Sequence, residues 1–112
     1  MLKSIKWNDK ARDFVRSLDV ETKKEIGSLL MLLQSGQILG YPQSKPMKAI
    51  HPAAYELRIK DEKGAYRVIY ALALKGIILI PHAFTKKTQK TPLKEIEISK
   101  KRLQELIYEE ES

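Results

Sequence analysis

From Tyr55 to Phe84 the chain reads YELRIK, DEKG, AYRVIYALAL, KG, IILIPHAF, and no other stretch narrows the possible folds as much. Runs rich in Tyr, Ile, Val and Leu alternate with short Gly-containing turns, which predicts an antiparallel meander of three strands. Side chains alternate faces along a strand. Tyr55, Leu57 and Ile59 therefore share one face, and Glu56, Arg58 and Lys60 the other. On the second strand Tyr66, Val68, Tyr70, Leu72 and Leu74 form the bulky face, opposite Arg67, Ile69, Ala71 and Ala73. A slip of one residue would turn Leu57 and Ile59 to the wrong side, so the apolar faces fix the register. The loop Asp61 to Gly64 then sets Lys60 against Ala65 and Arg58 against Arg67. Like charges directly opposed destabilise a strand pair by a few tenths to about 1 kcal/mol unless an anion or an acidic side chain lies between them.

The second turn, Lys75-Gly76, suits a two-residue hairpin that pairs Leu74 with Ile77. Ile69 then faces His82, and Arg67 faces Phe84. Pro81 has no N–H for a ladder, so a bulge or an unpaired neighbour is expected beside it.

Helical patterns flank the meander. LKSIKW alternates like a short strand, and Asn8 or Asp9 can cap a helix carrying Ala11, Phe14, Val15 and Leu18. Asp19 can cap a second helix from about Val20 to Gln34, with Ile26, Leu29, Leu30 and Leu33 as its buried stripe and Gly36 at its end. The two should form a hairpin. Met31 and Leu32 fall outside the stripe, as a broad core contact or a partner surface would require. GQILGYPQSKPMKAIHP, with two glycines and three prolines, reads as a connecting loop. After Thr91 as cap and Pro92 at the first helical position, Leu93, Ile96, Leu103 and Ile107 recur at helical spacing. The expected fold is α+β in a single domain, residues 1–112: an N-terminal strand, a helical hairpin, a three-stranded antiparallel meander and a C-terminal helix.

Composition closes off several functions. The chain has no cysteine, which excludes disulfides and thiol catalysis, and its only histidines, His51 and His82, lack metal-ligand spacing. No metal or other cofactor is expected, and His51, beside Pro52, reads as polar surface. Neither a phosphate-cradling glycine motif nor a Gly-x-Ser-x-Gly turn occurs. Asp61 and Glu62 read as turn residues, and the final helix, with its glutamates, as solvated on its outer side. The first ten residues lack a signal-peptide run and no apolar stretch is long enough for a membrane span, so a cytoplasmic protein with no membrane partner is the expectation. A net charge of +7 favours an anionic partner.

The register says where that charge converges. Arg58, Lys60, Arg67, His82, Lys86 and Lys87 gather on one sheet face, with Lys90 close behind and Phe84 among them. Guanidinium forks, ammonium charges and a ring on which a base can stack are what recognition of single-stranded RNA requires.

The segments YELRIKDEKGAYRVIYAL and IPHAFTKKTQKTPLKEIEISKKRL resemble the HigB-like toxins of the RelE/ParE superfamily, in the branch related to phage proteins. The Glu-Leu-Arg strand, the Tyr-Arg strand and the Phe-x-Lys-Lys-Thr segment carry the resemblance over about the last 60 residues. It implies a ribosome-dependent mRNA endonuclease, the toxin of a toxin–antitoxin pair, acting on mRNA on the ribosome and neutralised by a helix-turn-helix antitoxin. Arg58 and Arg67 would be its strand arginines and Lys87 the basic residue past the last strand, with Lys60 and Lys86 as neighbours. Cleavage of this kind needs no metal: the 2′-hydroxyl attacks the adjacent phosphorus, and Arg67 and Lys87 would hold the extra negative charge of the transition state. His82, with an ordinary pKa near neutrality, is the candidate proton carrier. Better-studied members place a tyrosine or histidine near the C-terminus, where this chain offers only Tyr108, late in the helix. A gyrase-poisoning toxin of the same superfamily and a non-catalytic RNA-binding module are the alternatives.

Overall fold

The computed structural model describes residues 1–112, and three helices pack on a five-stranded sheet. In chain order the elements are β1 (Ser4–Trp7), α1 (Asp9–Arg16), α2 (Val20–Gln34), β2 (Ser44–Pro46), β3 (Ala54–Asp61), β4 (Gly64–Leu74), β5 (Ile77–Lys86) and α3 (Leu93–Glu111). The sheet order is β1-β5-β4-β3-β2. β1 runs parallel to β5, and all other neighbours are antiparallel. Asn8 caps α1, its side chain accepting from the backbone N–H groups of Lys10 and Ala11, as its position before a periodic apolar run requires.

The expected β3–β4 register is found, with Arg58 opposite Arg67, Lys60 opposite Ala65 and Leu57 opposite Val68. Between β4 and β5, Leu74 pairs Ile77, Ile69 pairs His82 and Arg67 pairs Phe84, again as expected. In between, Ala71 pairs Leu79. β5 thus carries an extra residue beside Pro81 and β4 one near Leu72 and Ala73, so the two irregularities cancel. The first is the bulge that Pro81 demanded. The second moves Leu74 away from the side of Leu72: Leu72 packs with the α1–α2 core, while Leu74 and Ala73 join the opposite cluster.

That opposite cluster corrects one expectation. The face that gathers the cations, with the Phe84 ring available to a base, was expected to lie open. α1 and α2 do cover the face of Leu57, Ile59, Val68, Tyr70, Ile78 and Ile80, but α3 lies across part of the other, where Leu103 and Leu106 meet Ile69, Ala71, Leu79 and Phe84. β2 is a further departure, because it forms within the stretch expected to be loop and pairs with β3 through Ser44, Lys45 and Pro46. Its one buried side chain, Ser44, shares a hydrogen bond of 2.6 Å with the Tyr70 hydroxyl. α3 starts one residue later than expected: Pro92 is its cap residue in extended conformation, and the Thr91 side chain is engaged elsewhere. Asp61 fulfils its turn role and adds to it. One carboxylate oxygen accepts from the N–H groups of Lys63 and Gly64, and the other accepts from Thr22 of α2 at 2.6 Å.

Candidate functional site

The open part of the second face lies where β3, β4 and β5 end beyond the reach of α3. Arg58 faces Arg67 across β3–β4, and Lys86 faces Ala65 across β4–β5. One cation from each of three adjacent strands therefore shares this face, Arg58 directly opposite Arg67 and Lys86 on the diagonal from it. A cavity of about 510 Å³ is lined by Arg58, Ala65, Arg67, Lys86, Lys87, Thr88 and Gln89. A second, of about 390 Å³, shares Arg58, Ala65 and Arg67 and adds Lys60 and Tyr41. Arg58, Lys60, Arg67, Lys86 and Lys87 are thus brought together as expected, whereas Lys90 lines neither cavity. A larger cavity of about 780 Å³ lies between the β1–α1 junction and α3, with Tyr108 in its wall, and contains none of these cations. Tyr108 is remote from the cluster.

Arg67 is the most constrained member. It is only 7% exposed, and its Nη1 donates to the Tyr66 carbonyl at 3.0 Å. Its Nε lies 3.6 Å from Oε1 of Glu56, a carboxylate that is itself 2% exposed. Burial pulls the Arg67 pKa down first, the negative charge of Glu56 opposes this, and Arg58 adds to the lowering; a guanidinium stays charged throughout. Glu56 is the acidic neighbour that an opposed arginine pair requires. Its place on the Arg58 face was legible in the alternation, but its burial was not. Arg58 is held differently, with its guanidinium carbon 5.2 Å from the centroid of the Tyr41 ring, a cation–π contact from the loop before β2. Lys86 has its pKa lowered, first by burial and then by Arg67, Arg58 and Lys45, against the pull of Glu56. Lys45, which pairs Glu56 across β2–β3, was missed because its strand was missed.

His82 and Phe84 are corrections. Both face the Arg67 side, but α3 covers them, leaving 7% and 5% of their surfaces exposed. Their rings stack on each other at 5.1 Å, and Phe84 belongs to the apolar cluster under α3, so it offers no free face to a base. The His82 ring has both nitrogens engaged: Arg102 Nη1 lies 3.1 Å from Nδ1, and Glu95 Oε1 lies 2.8 Å from Nε2. Arg102 can only donate. Nδ1 is therefore the acceptor, Nε2–H donates to Glu95, and the ring is neutral. Burial lowers its pKa, with Arg102 adding to the effect and the Glu95 hydrogen bond opposing it. The imidazole is occupied in fastening α3 to β5. His51 also serves structure, its Nδ1 accepting from the N–H of Ala53 at 3.0 Å.

No three His, Cys, Asp or Glu side chains converge in a way that could hold a metal ion, and no helix is long and apolar enough to cross a membrane. What the cluster can do is bind and stabilise negative charge on phosphate oxygens in a partly desolvated groove.

Comparison with known proteins agrees with this architecture. Residues 13–104 match the family of phage-derived Gp49-like proteins. No curated protein matches the chain. Among solved structures, the free-state E. coli toxin RelE, carrying two arginine-to-alanine mutations, aligns with a TM-score of 0.60 at 15% identity over 95% of this chain and 99% of that one. The isolated E. coli RelE toxin in another crystal form aligns with a TM-score of 0.47 at 15% identity over 79% of this chain and 88% of that one. With most of its length inside the family match, the chain belongs to the family of phage-derived Gp49-like proteins, and its fold is that of the RelE toxin.

Proposed function

We propose that the protein is the toxin of a type II toxin–antitoxin pair and acts as an mRNA endonuclease on the translating ribosome. The observation that carries this reading is the Arg58–Arg67 pair, opposed across two strands and continued by Lys86 and Lys87 into one groove. Solvation alone gives no reason to set two arginines face to face. Glu56 offsets one of the two charges, and a phosphate between them would offset the other.

In this reading RNA lies across β3, β4 and β5. Arg58 and Arg67 grip the scissile phosphate, and the 2′-hydroxyl of the preceding nucleotide attacks phosphorus as the bond to the 5′-oxygen breaks. The products are a 2′,3′-cyclic phosphate and a 5′-hydroxyl. The developing charge falls on oxygens already faced by Arg67 and Lys87, which is where preplaced cations lower a barrier. Proton transfer passes from His82, which is occupied, to Lys86. Burial and the neighbouring cations ease release of its proton, so the Lys86 amine takes the 2′-hydroxyl proton and, as ammonium, returns it to the leaving 5′-oxygen. Lys60 and Lys45 extend the positive track along the strand backbone. The antitoxin, a helix-turn-helix protein by family analogy, would close the same groove or hold the toxin off the ribosome in the cytoplasm.

The test is to map mRNA 5′ ends after brief expression, with and without the product of the neighbouring gene. Position-specific cuts within translated frames are expected, lost in Arg67→Ala and suppressed by the neighbour. Growth arrest with DNA damage and intact mRNA would instead place the protein with the gyrase poisons. Binding of RNA without cuts would leave a non-catalytic module.

A further inference from the structure

Glu56 and Thr91 belong to no part of the chemistry above, yet they meet at its centre. Glu56 is an almost wholly buried carboxylate on β3, and its two oxygens have different partners. Oε1 faces Nε of Arg67 at 3.6 Å, and Oε2 accepts from the Thr91 hydroxyl at 3.1 Å. Thr91 closes the segment that leaves β5 through Lys86 and Lys87. One anion therefore touches both walls of the groove: the strand wall through Arg67 and the loop wall through Thr91. Arg67 Nε–H closes no hydrogen bond, and the opposed Arg58 repels its guanidinium. The only acidic group holding Arg67 in place is Glu56.

We infer that Glu56 is a positioning residue, which sets the Arg67 guanidinium against its repelling neighbour and, through Thr91, ties the Lys86–Lys87 segment to the same reference point. The consequence for a single-stranded RNA substrate is geometric, because the distance between the two cationic walls is fixed by one carboxylate. This rests on the reading that Arg67 contacts the RNA phosphate. A misplacement of about 1 Å in such a site lowers rates about 100-fold, and a carboxamide at position 56 keeps the shape of the carboxylate while removing the charge that holds Arg67.

The experiment combines rate and geometry. Glu56→Gln should lower cleavage of mRNA on translating ribosomes about 100-fold in the parent background, and in the Arg67→Ala background by no more than the about 3- to 10-fold that the Thr91 tie contributes. A full 100-fold loss repeated in the double variant would overturn the inference, because the part of the effect that acts through Arg67 vanishes once Arg67 is gone. A milder pair guards against misfolding. Thr91→Val should lower the rate about 3- to 10-fold, the worth of one hydrogen bond, and Thr91→Ser should restore it; equal rates for Val and Ser would count against the loop tie. Independently of activity, the Arg67 Nε–H resonance should shift and exchange faster with water in Glu56→Gln. A resonance unmoved by that substitution overturns the positioning role whether or not the parent cuts RNA. A parent that cuts no RNA, with a resonance that still moves, would discard the nuclease reading and leave the positioning intact.

Discussion

Two halves of one sheet face carry the same strands and opposite economies of charge. Under α3, Ile69, Leu79 and Phe84 pack against Leu103 and Leu106, and the one titratable ring, His82, has a partner on each nitrogen. A few residues along, Arg58, Arg67 and Lys86 share the face with Glu56 as the buried carboxylate among them and Glu25 at the groove's edge. The covered half is satisfied by the chain itself. The open half keeps an excess of positive charge, and this contrast, more than net charge, supports the proposal that it is the working surface.

The contrast can be broken from either side. Leu103→Ala removes buried contacts of α3 and should destabilise the fold by about 2–5 kcal/mol, read by chemical denaturation, while leaving the rate per folded molecule nearly unchanged. A proportional loss of cleavage would mean that α3 shapes the groove more directly than the geometry indicates. In the open half, Arg58→Ala and Lys87→Ala should each lower single-turnover cleavage about 10²–10³-fold, as loss of a preplaced charge-stabilising group does, with little change in melting temperature. Arg67→Ala should match them in rate but also destabilise, because it strands the buried Glu56 carboxylate.

A subtler test uses pH. The His82 pKa is lowered in the folded protein, so the unfolded chain, with an ordinary value near 6.5, takes up the proton first. The stability it contributes is intact above that value and is lost as pH falls below it toward the folded pKa. His82→Gln should flatten the fall in melting temperature over that window relative to the parent, without abolishing cleavage near neutral pH. Abolished cleavage would return His82 to the chemistry. The smallest effect is expected at Lys90: Lys90→Ala should change cleavage by no more than about fivefold, the worth of one screened surface charge.

Much of this was legible because the meander over-determines itself. Apolar alternation and two short turns leave a single register, and that register alone places Arg58 against Arg67. β2 was not legible. A three-residue strand containing Pro46, in a glycine- and proline-rich segment, exists only because β3 offers it an edge. With it went Lys45, and with the loop before it Tyr41. Nor did the sequence say where α3 would dock. The stripe of Leu103 shows that the helix must bury a side, but His82 and Phe84 belonged to an exposed cationic face until Arg102 and Glu95 were found to close over them. Thr91 was expected to cap a helix, a local role, and bonds instead to a carboxylate that is distant in sequence.

The shortness of β1 and β2 has a consequence for solubility. Strands of 8, 11 and 10 residues form the middle of the sheet, and its two edges are strands of 4 and 3. Long, regular edges invite other chains to pair with them, and proteins blunt them with short strands, lysine and proline. SKP does all three at once. If the segment around Ser44 to Pro46 were trimmed away, the edge of β3 would be bared beside Leu57 and Ile59, and a folded monomer would gain a surface able to template its own aggregation.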